Sequence, residues 1–187
     1  MENLSKKAAE NLTATRERKP LIHNITNYVV MNYTANALLA MGASPVMAHA
    51  QNEVEEMVAF AGALVLNIGT LTDDWVAAMI KAGKKASESN TPTVLDPVGS
   101  GATTLRTDSA KKIINETSIT VIRGNASEIL SLADEDSKTK GVDSLHTVDE
   151  AKDTAQALAG ELKTTLAITG PTDVVTDGDR VLKIENG

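Results

Sequence analysis

Apolar positions along the chain follow two rhythms. Short runs stay apolar almost throughout: LIHNI (21–25), ASPVMA (43–48), ALVLNIG (63–69), TVLDP (93–97), TVIRG (120–124) and TTLAITG (164–170). Runs that do not alternate in polarity are the mark of strands buried on both faces. Between them lie longer stretches with helical spacing. The first covers 2–17, with Leu4, Ala8 and Leu12 on one stripe and Pro20 beyond its end. Further helices are predicted over NYVVMNYTANALLAMG with Gly42 as the stop, over 53–61, from the Leu71-Thr72-Asp73-Asp74 cap to about Ser89, over 107–116, over ASEILSLA after Asn125, and over 148–162. Residues 134–147 are polar, contain Gly141 and read as a loop. DVVTDGDRVLKI reads as a closing hairpin, with Asp177-Gly178 as a two-residue turn. Strand and helix alternate at least five times, which predicts an α/β protein with a mostly parallel sheet layered between helices. No repeat or Pro/Gly-rich linker interrupts the pattern, so residues 1–187 are expected to form a single domain.

Composition narrows the partners. Aromatic residues make up only 2% of the chain, leaving few platforms for stacking nucleic-acid bases. Lys and Arg number 18 against 25 Asp and Glu, a net charge of −7 that disfavours a nucleic-acid groove. A nucleotide remains compatible, because a helix N-terminus and a metal hold phosphates without much basic charge. Cysteine is absent, which excludes disulfides, thiolate zinc sites and a cysteine nucleophile within the chain. No apolar run approaches a membrane span, and the amphipathic start lacks an apolar signal core. A cytoplasmic protein with no membrane partner is the expectation.

Open α/β sheets bind ligands beyond the carboxyl ends of their strands. The residues at and just beyond each strand end here are polar and distinctive: His23-Asn24-Ile25-Thr26-Asn27, Met47, Asn67-Ile68-Gly69-Thr70, Asp96-Pro97-Val98-Gly99, Arg123-Gly124-Asn125 and Thr169-Gly170. GSGATT (99–104) is neither a Walker A loop, lacking Gly-Lys-Ser/Thr, nor GxGxxG, and by itself it is a tight turn. Asp96 ends an apolar strand, where a carboxylate needs a partner. It reads either as a turn aspartate before Pro97 or as a ligand of magnesium on a nucleotide's phosphates. Glu128 reads either as a first-turn residue favoured by the helix dipole or as a second carboxylate facing the same space. Arg123 suits a phosphate by bidentate geometry, or an ion pair with Asp96 or Glu128. The two carboxylates at neighbouring strand ends, with Arg123 between them in sequence, favour a phosphate and metal site. His23 alone at a strand end reads as structural, and no paired histidine spacing points to zinc.

In order, PLIHNITNYVVMNYTANALLAMGASPVMAHA (20–50), AGALVLNIGTL (61–71), VLDPVGSGATTLRT (94–107), RGNASEI (123–129), KGVDS (140–144) and AITGPTDVVTDG (167–178) resemble the hydroxyethylthiazole kinases of thiamine salvage. The resemblance spans nearly the whole chain. It implies the three-layer α/β/α ribokinase-like fold and transfer of the γ-phosphate of ATP, with Mg2+, to the primary alcohol of 4-methyl-5-(2-hydroxyethyl)thiazole. It also implies a homotrimer with active sites between subunits. By the same resemblance, Asn27, Val29 and Met47 contact the thiazole, Arg123 and Thr169 the nucleotide, and Asp96 and Glu128 the magnesium region. A thioether suits a flat apolar ring, although Met47 on composition alone is a core methionine.

The family pattern continues beyond Gly187 with a strand, a glycine-rich helix N-terminus forming the anion hole, the residue that activates the hydroxyl, and further helices. No catalytic residue is therefore assigned within these 187 residues, and weak or absent turnover is expected of them alone. Two other functions fit the same residues: a non-catalytic thiazole-binding or assembly module, and a ribokinase-like kinase for a different small alcohol.

Overall fold

The structure, a computed structural model, describes residues 3–133 and 148–185. The loop expected at 134–147, with the KGVDS segment, lies outside the described residues. Eight strands form one sheet: β1 (Leu21–Ile25), β2 (Ser44–Met47), β3 (Ala63–Asn67), β4 (Thr93–Asp96), β5 (Val121–Asn125), β6 (Thr165–Thr169), β7 (Asp173–Thr176) and β8 (Val181–Ile184). Their order is β2-β1-β3-β4-β5-β6-β7-β8, with β1 to β6 parallel and β7 and β8 antiparallel. The helices are α1 (Leu4–Arg18), α2 (Met31–Met41), α3 (Val54–Phe60), α4 (Asp73–Ser89), α5 (Thr104–Glu116), α6 (Ala126–Leu130) and α7 (Val148–Leu162).

Capping sets several boundaries. Thr72 accepts the Trp75 N–H at 3.2 Å and starts α4, while Asn90 ends it in the left-handed region. Thr103 accepts the Arg106 N–H at 3.4 Å, so α5 begins at Thr104 rather than at the expected Thr107. The Asn27 carboxamide oxygen takes the N–H groups of Val29 and Val30, which holds that segment as a turn and delays α2 to Met31.

Burial alternates along the strands. Leu64, Leu66, Leu95, Ile122, Leu166, Ile168 and Val174 are fully buried on one face, in one core with Val54, Val58, Met79, Ile113, Ile129, Ala155 and Leu158 from α3 to α7. The intervening residues, such as Val65, Val94, Val121, Ala167 and Val175, face the opposite side and are half-buried. The connection through α2 runs from β1 to β2, opposite to the later crossovers, so right-handedness carries α2 to that second side. A cavity of about 480 Å³ between Leu4 and Lys7 of α1 and Val175 and Leu182 of the sheet places the start of α1 there too.

The closing hairpin differs from the two-residue turn expected. Thr176 pairs with Val181, leaving a four-residue loop over 177–180. Asp177 builds it: its carboxylate accepts the N–H groups of Asp179 (3.2 Å) and Arg180 (2.8 Å) and the Arg180 guanidinium (2.6 and 2.9 Å). Those bonds, the Arg180 backbone N–H foremost, hold the Asp177 pKa down at about 2. A depressed carboxylate supports the fold above its ordinary pKa of 3.8 and loses that support as pH falls through about 2. Protection of the Asp179 and Arg180 amides, relative to their intrinsic exchange, should therefore fall between pH 4 and 2, ahead of β6. Unchanged protection of Arg180 down to pH 2 would remove this role from Asp177.

Candidate active site

The strand order reverses at β1, which lies between β2 and β3. A crevice opens at such a switch point because the chains leaving β1 and β3 diverge. The polar residues leaving these strands bond across it in a row. Asn27 Nδ2 donates to Asn67 Oδ1 at 2.6 Å, and Asn67 Nδ2 donates to Asp96 Oδ2 at 2.8 Å. Register explains the row: Asn67 lies opposite Asp96, and Arg123 stands one strand further along at the same level. Arg123 Nη1 lies 3.6 Å from Asp96 Oδ2. The side chain of Asp96 is 19% exposed and that of Arg123 53%, so the cation is wet and adjustable while the carboxylate is fixed.

Desolvation by burial is the largest influence on Asp96 and raises its pKa. Arg123 lowers it, Glu128 raises it again by repulsion, and the Asn67 bond lowers it. Asp96 Oδ1 is buried and has no hydrogen-bond partner among the described residues. A buried carboxylate oxygen left in this state has a strong demand for a cation or a donor. Glu128 is held at both oxygens. Oε1 accepts the Gly99 N–H at 2.8 Å, and Oε2 accepts the Asn125 N–H at 2.9 Å in a reciprocal capping box with Asn125. Each oxygen keeps a second lone pair. A Cβ on Gly124 would come within 3.0 Å of Glu128 Oε2, so glycine is what lets the carboxylate lie against β5. Among the described residues no three acidic or histidine side chains converge to enclose a metal. The carboxylates of Asp96, with Oδ1 unpartnered among the described residues, and of Glu128 offer the hard oxygen donors that suit magnesium, which keeps most of its ligands as water and phosphate oxygen.

The remaining predicted residues fall into two groups. Thr169, at the end of β6 beside Asn125, donates to the Gly124 carbonyl at 3.3 Å and flanks the Arg123 strand end. Asn27 is buried in the row itself, whereas Val29 is 84% exposed on the turn after β1 and Met47 is half-buried at the end of β2. These three lie at and just beyond the ends of β1 and β2, on one side of the switch point. His23 is fully buried and its Nε2 donates to the Ala48 carbonyl at 2.8 Å, tying β1 to the exit of β2; burial lowers its pKa, as befits a structural neutral imidazole.

Two contributors, Trp75 and Arg106, escaped the sequence reading, and a third, Asn67, was named there without its role. Asn67 stood among the strand-end residues, but its place between Asn27 and Asp96 needed the register. Trp75 meets the Tyr28 ring edge-on at 5.2 Å and stacks with His49 at 4.2 Å, joining the exits of β1 and β2. Arg106 donates to the carbonyls of Ile68 (3.1 Å), Gly69 (2.8 Å) and Val98 (2.7 Å). Nothing in the helical pattern of α5 distinguishes that arginine from a solvated one.

The pattern of the family described as "HK: Hydroxyethylthiazole kinase family" matches residues 12–187. The chain belongs to the hydroxyethylthiazole kinase family. Its members are kinases, phosphotransferases with ATP as co-substrate. A hydroxyethylthiazole kinase of Desulfotalea psychrophila is 67% identical over 187 residues, covering 100% of this chain and 68% of that protein. The solved hydroxyethylthiazole kinase of Pyrococcus horikoshii OT3 superposes with a TM-score of 0.87 at 48% identity, over 97% of this chain and 68% of that one. Adenosine kinase from Schistosoma mansoni shares the fold alone, with a TM-score of 0.54 at 15% identity. The family thus adopts the ribokinase-like α/β architecture expected from the strand and helix order. The chain spans about two thirds of the length of the curated relatives it matches, 64% for that of Desulfosudis oleivorans. Among the described residues no helix is long and apolar enough to cross a membrane.

Proposed function

We propose that this chain carries the alcohol and nucleotide ends of a hydroxyethylthiazole kinase site, transferring the γ-phosphate of ATP to the primary alcohol of 4-methyl-5-(2-hydroxyethyl)thiazole. The observation that supports this most is the Oδ1 of Asp96, buried and without a partner among the described residues, at the end of the Asn27–Asn67–Asp96 row. Phosphoryl transfer is chiefly positioning and charge stabilisation, so a poised carboxylate beside a mobile cation is what the reaction needs. Asp96 and Glu128 would hold Mg2+, which neutralises charge on the phosphate oxygens when bound. Arg123 reaches outward from the Asp96 edge to pair with phosphate, and Thr169 flanks the same strand end. Asn27 orients the alcohol, because its carboxamide is fixed at both ends by Asn67 and by the Val29 and Val30 N–H groups. Val29 and Met47 supply the apolar walls for the ring. Deprotonation of the alcohol is assigned to no residue of this chain.

Val29 is 84% exposed on the turn after β1, an apolar side chain open to a partner. In the proposed homotrimer, whose sites lie between subunits, a neighbouring chain covers Val29 and completes the ring pocket. Sedimentation should then give three chains per particle, and a monomer at micromolar concentration would exclude that arrangement. A cytoplasmic setting accords with a soluble co-substrate.

Calorimetric titration with hydroxyethylthiazole, then with Mg2+ and a non-hydrolysable ATP analogue, tests the reading. Saturable heat from both is expected, and silence from both in a folded sample would defeat it. Met47→Asp should weaken thiazole binding by ~1–3 kcal/mol, because the charge must be desolvated beside an apolar ring. Unchanged affinity would remove Met47 from the pocket.

A further inference from the structure

Arg106 lies outside the row of groups assigned to substrate or metal, yet its guanidinium makes three main-chain hydrogen bonds at once. Two of them fall on peptide units with a telling second end. The Ile68–Gly69 unit gives its carbonyl to Arg106 at 3.1 Å and its N–H to Asn67 Oδ1 at 3.0 Å. The Val98–Gly99 unit gives its carbonyl to Arg106 at 2.7 Å and its N–H to Glu128 Oε1 at 2.8 Å. A trans peptide points its C=O and N–H in opposite directions, so pinning one end aims the other.

We infer that Arg106 is a positioning residue for the proposed magnesium and phosphate site, acting through two peptide planes to aim Asn67 and Glu128 at Asp96. Asn67 passes the constraint on directly, its Nδ2 donating to Asp96 Oδ2 at 2.8 Å. Glu128 receives it through Gly99, three residues past Asp96. The guanidinium also polarises both peptide units, strengthening the N–H donors at their far ends. Lysine cannot reproduce this, because an ammonium lacks the planar fork that meets two loops together. The fit is close: a Cβ on Gly99 would come within 2.9 Å of Arg106 Cδ, and Gly99 has φ +75°. Arg106 thus has a defined seat between the exits of β3 and β4.

The inference rests on the reading that Asp96 and Glu128 serve magnesium, and its test separates the two. In ligand-free protein, Arg106→Lys should keep the fold and shift the amide resonances of Gly69 and Gly99 and the carboxamide resonances of Asn67. The amide of Gly170, held by Asp173 at the far strand end, should stay in place. In calorimetry with Mg2+ and ADP, Arg106→Lys should bind roughly tenfold more weakly, the usual size of lost charge-assisted bonds. Guanidinium ion added to Arg106→Ala should recover part of that loss. Arg106→Lys should cost much less in an Asn67→Ala background, because the two act in series. Unmoved Asn67 resonances in folded Arg106→Lys, or fully additive losses with Asn67→Ala, would overturn the inference. Should Arg106→Ala fail to fold, Arg106→Lys and the paired variants still decide it. If the unaltered chain binds no Mg2+–ADP, the magnesium reading falls, and the Asn67 resonances alone judge whether Arg106 positions that side chain.

Discussion

Asp96→Asn is expected to weaken magnesium-dependent nucleotide binding, by on the order of a hundredfold in magnesium affinity, while leaving the chain as heat-stable as before or more so. Both halves rest on the surroundings of Asp96. Even groups that merely support a metal's ligands cost 10–100-fold when removed, and Asp96 would touch the metal itself. The stability half has a definite sign. Burial raises the Asp96 pKa, so the ionised form is disfavoured in the folded state. A raised carboxylate contributes stability at low pH and loses it as pH rises through the folded pKa, so at neutral pH its charge is a burden that Asn removes. Arg123 and Asn67 offset part of that burden, both at Oδ2, while Oδ1 has no partner among the described residues. Thermal melts and Mg2+–nucleotide calorimetry on the same sample check the pair, with thiazole binding as the internal control. A large loss of melting temperature with equal loss of thiazole and nucleotide binding would make Asp96 a structural residue.

Gly69→Ala should damage the alcohol side of the crevice. A Cβ at Gly69 would lie 2.5 Å from Asn27 Nδ2, 2.8 Å from Cγ and 2.9 Å from Cβ, so nearly the whole Asn27 side chain stands where the methyl must go. The amide hydrogen bonds Asn67, which prevents the backbone from swinging away without losing that bond as well. Overpacking of this kind costs roughly 1–3 kcal/mol. The strain would be relieved by displacing Asn27, breaking its 2.6 Å bond to Asn67 and releasing the N–H groups of Val29 and Val30. Thiazole affinity should fall at least about tenfold, the equivalent of ~1.4 kcal/mol. An alanine variant with unchanged thiazole affinity would show that Asn27 does not orient the alcohol.

Local pattern carried most of the element order. Unbroken apolar runs such as Leu64-Val65-Leu66 announce buried strands, and Thr72 and Asn125 announce helix starts through their own side chains. The errors sit where a side chain reaches a few residues along the chain and competes with propensity. Thr103 pulled α5 forward, Asn27 held α2 back, and the Asp177 carboxylate widened the hairpin loop. Glu128, read from sequence as a first-turn residue or as a second carboxylate near Asp96, sits in the first turn of α6 as its reciprocal cap, and its other oxygen accepts the Gly99 N–H at the exit of β4. The different burial of Asn27, Met47 and Val29 was not legible, because it depends on which neighbours the fold packs against each of them rather than on the residues themselves.

By itself the sequence determined an alternating α/β chain, the polar groups at its strand ends and the family to which their order belongs, because these reside in short-range pattern and residue identity. Only the tertiary structure decided which strand ends share the crevice beside β1. Strand register set Asn67 against Asp96 and brought Arg123 to their level, and the chain's crossing from β4 to α5 carried Arg106 back to the loop after β3. Such relations join residues up to 40 positions apart in sequence, and pairings at that range are chosen by how the layers pack, not by any one segment's preference.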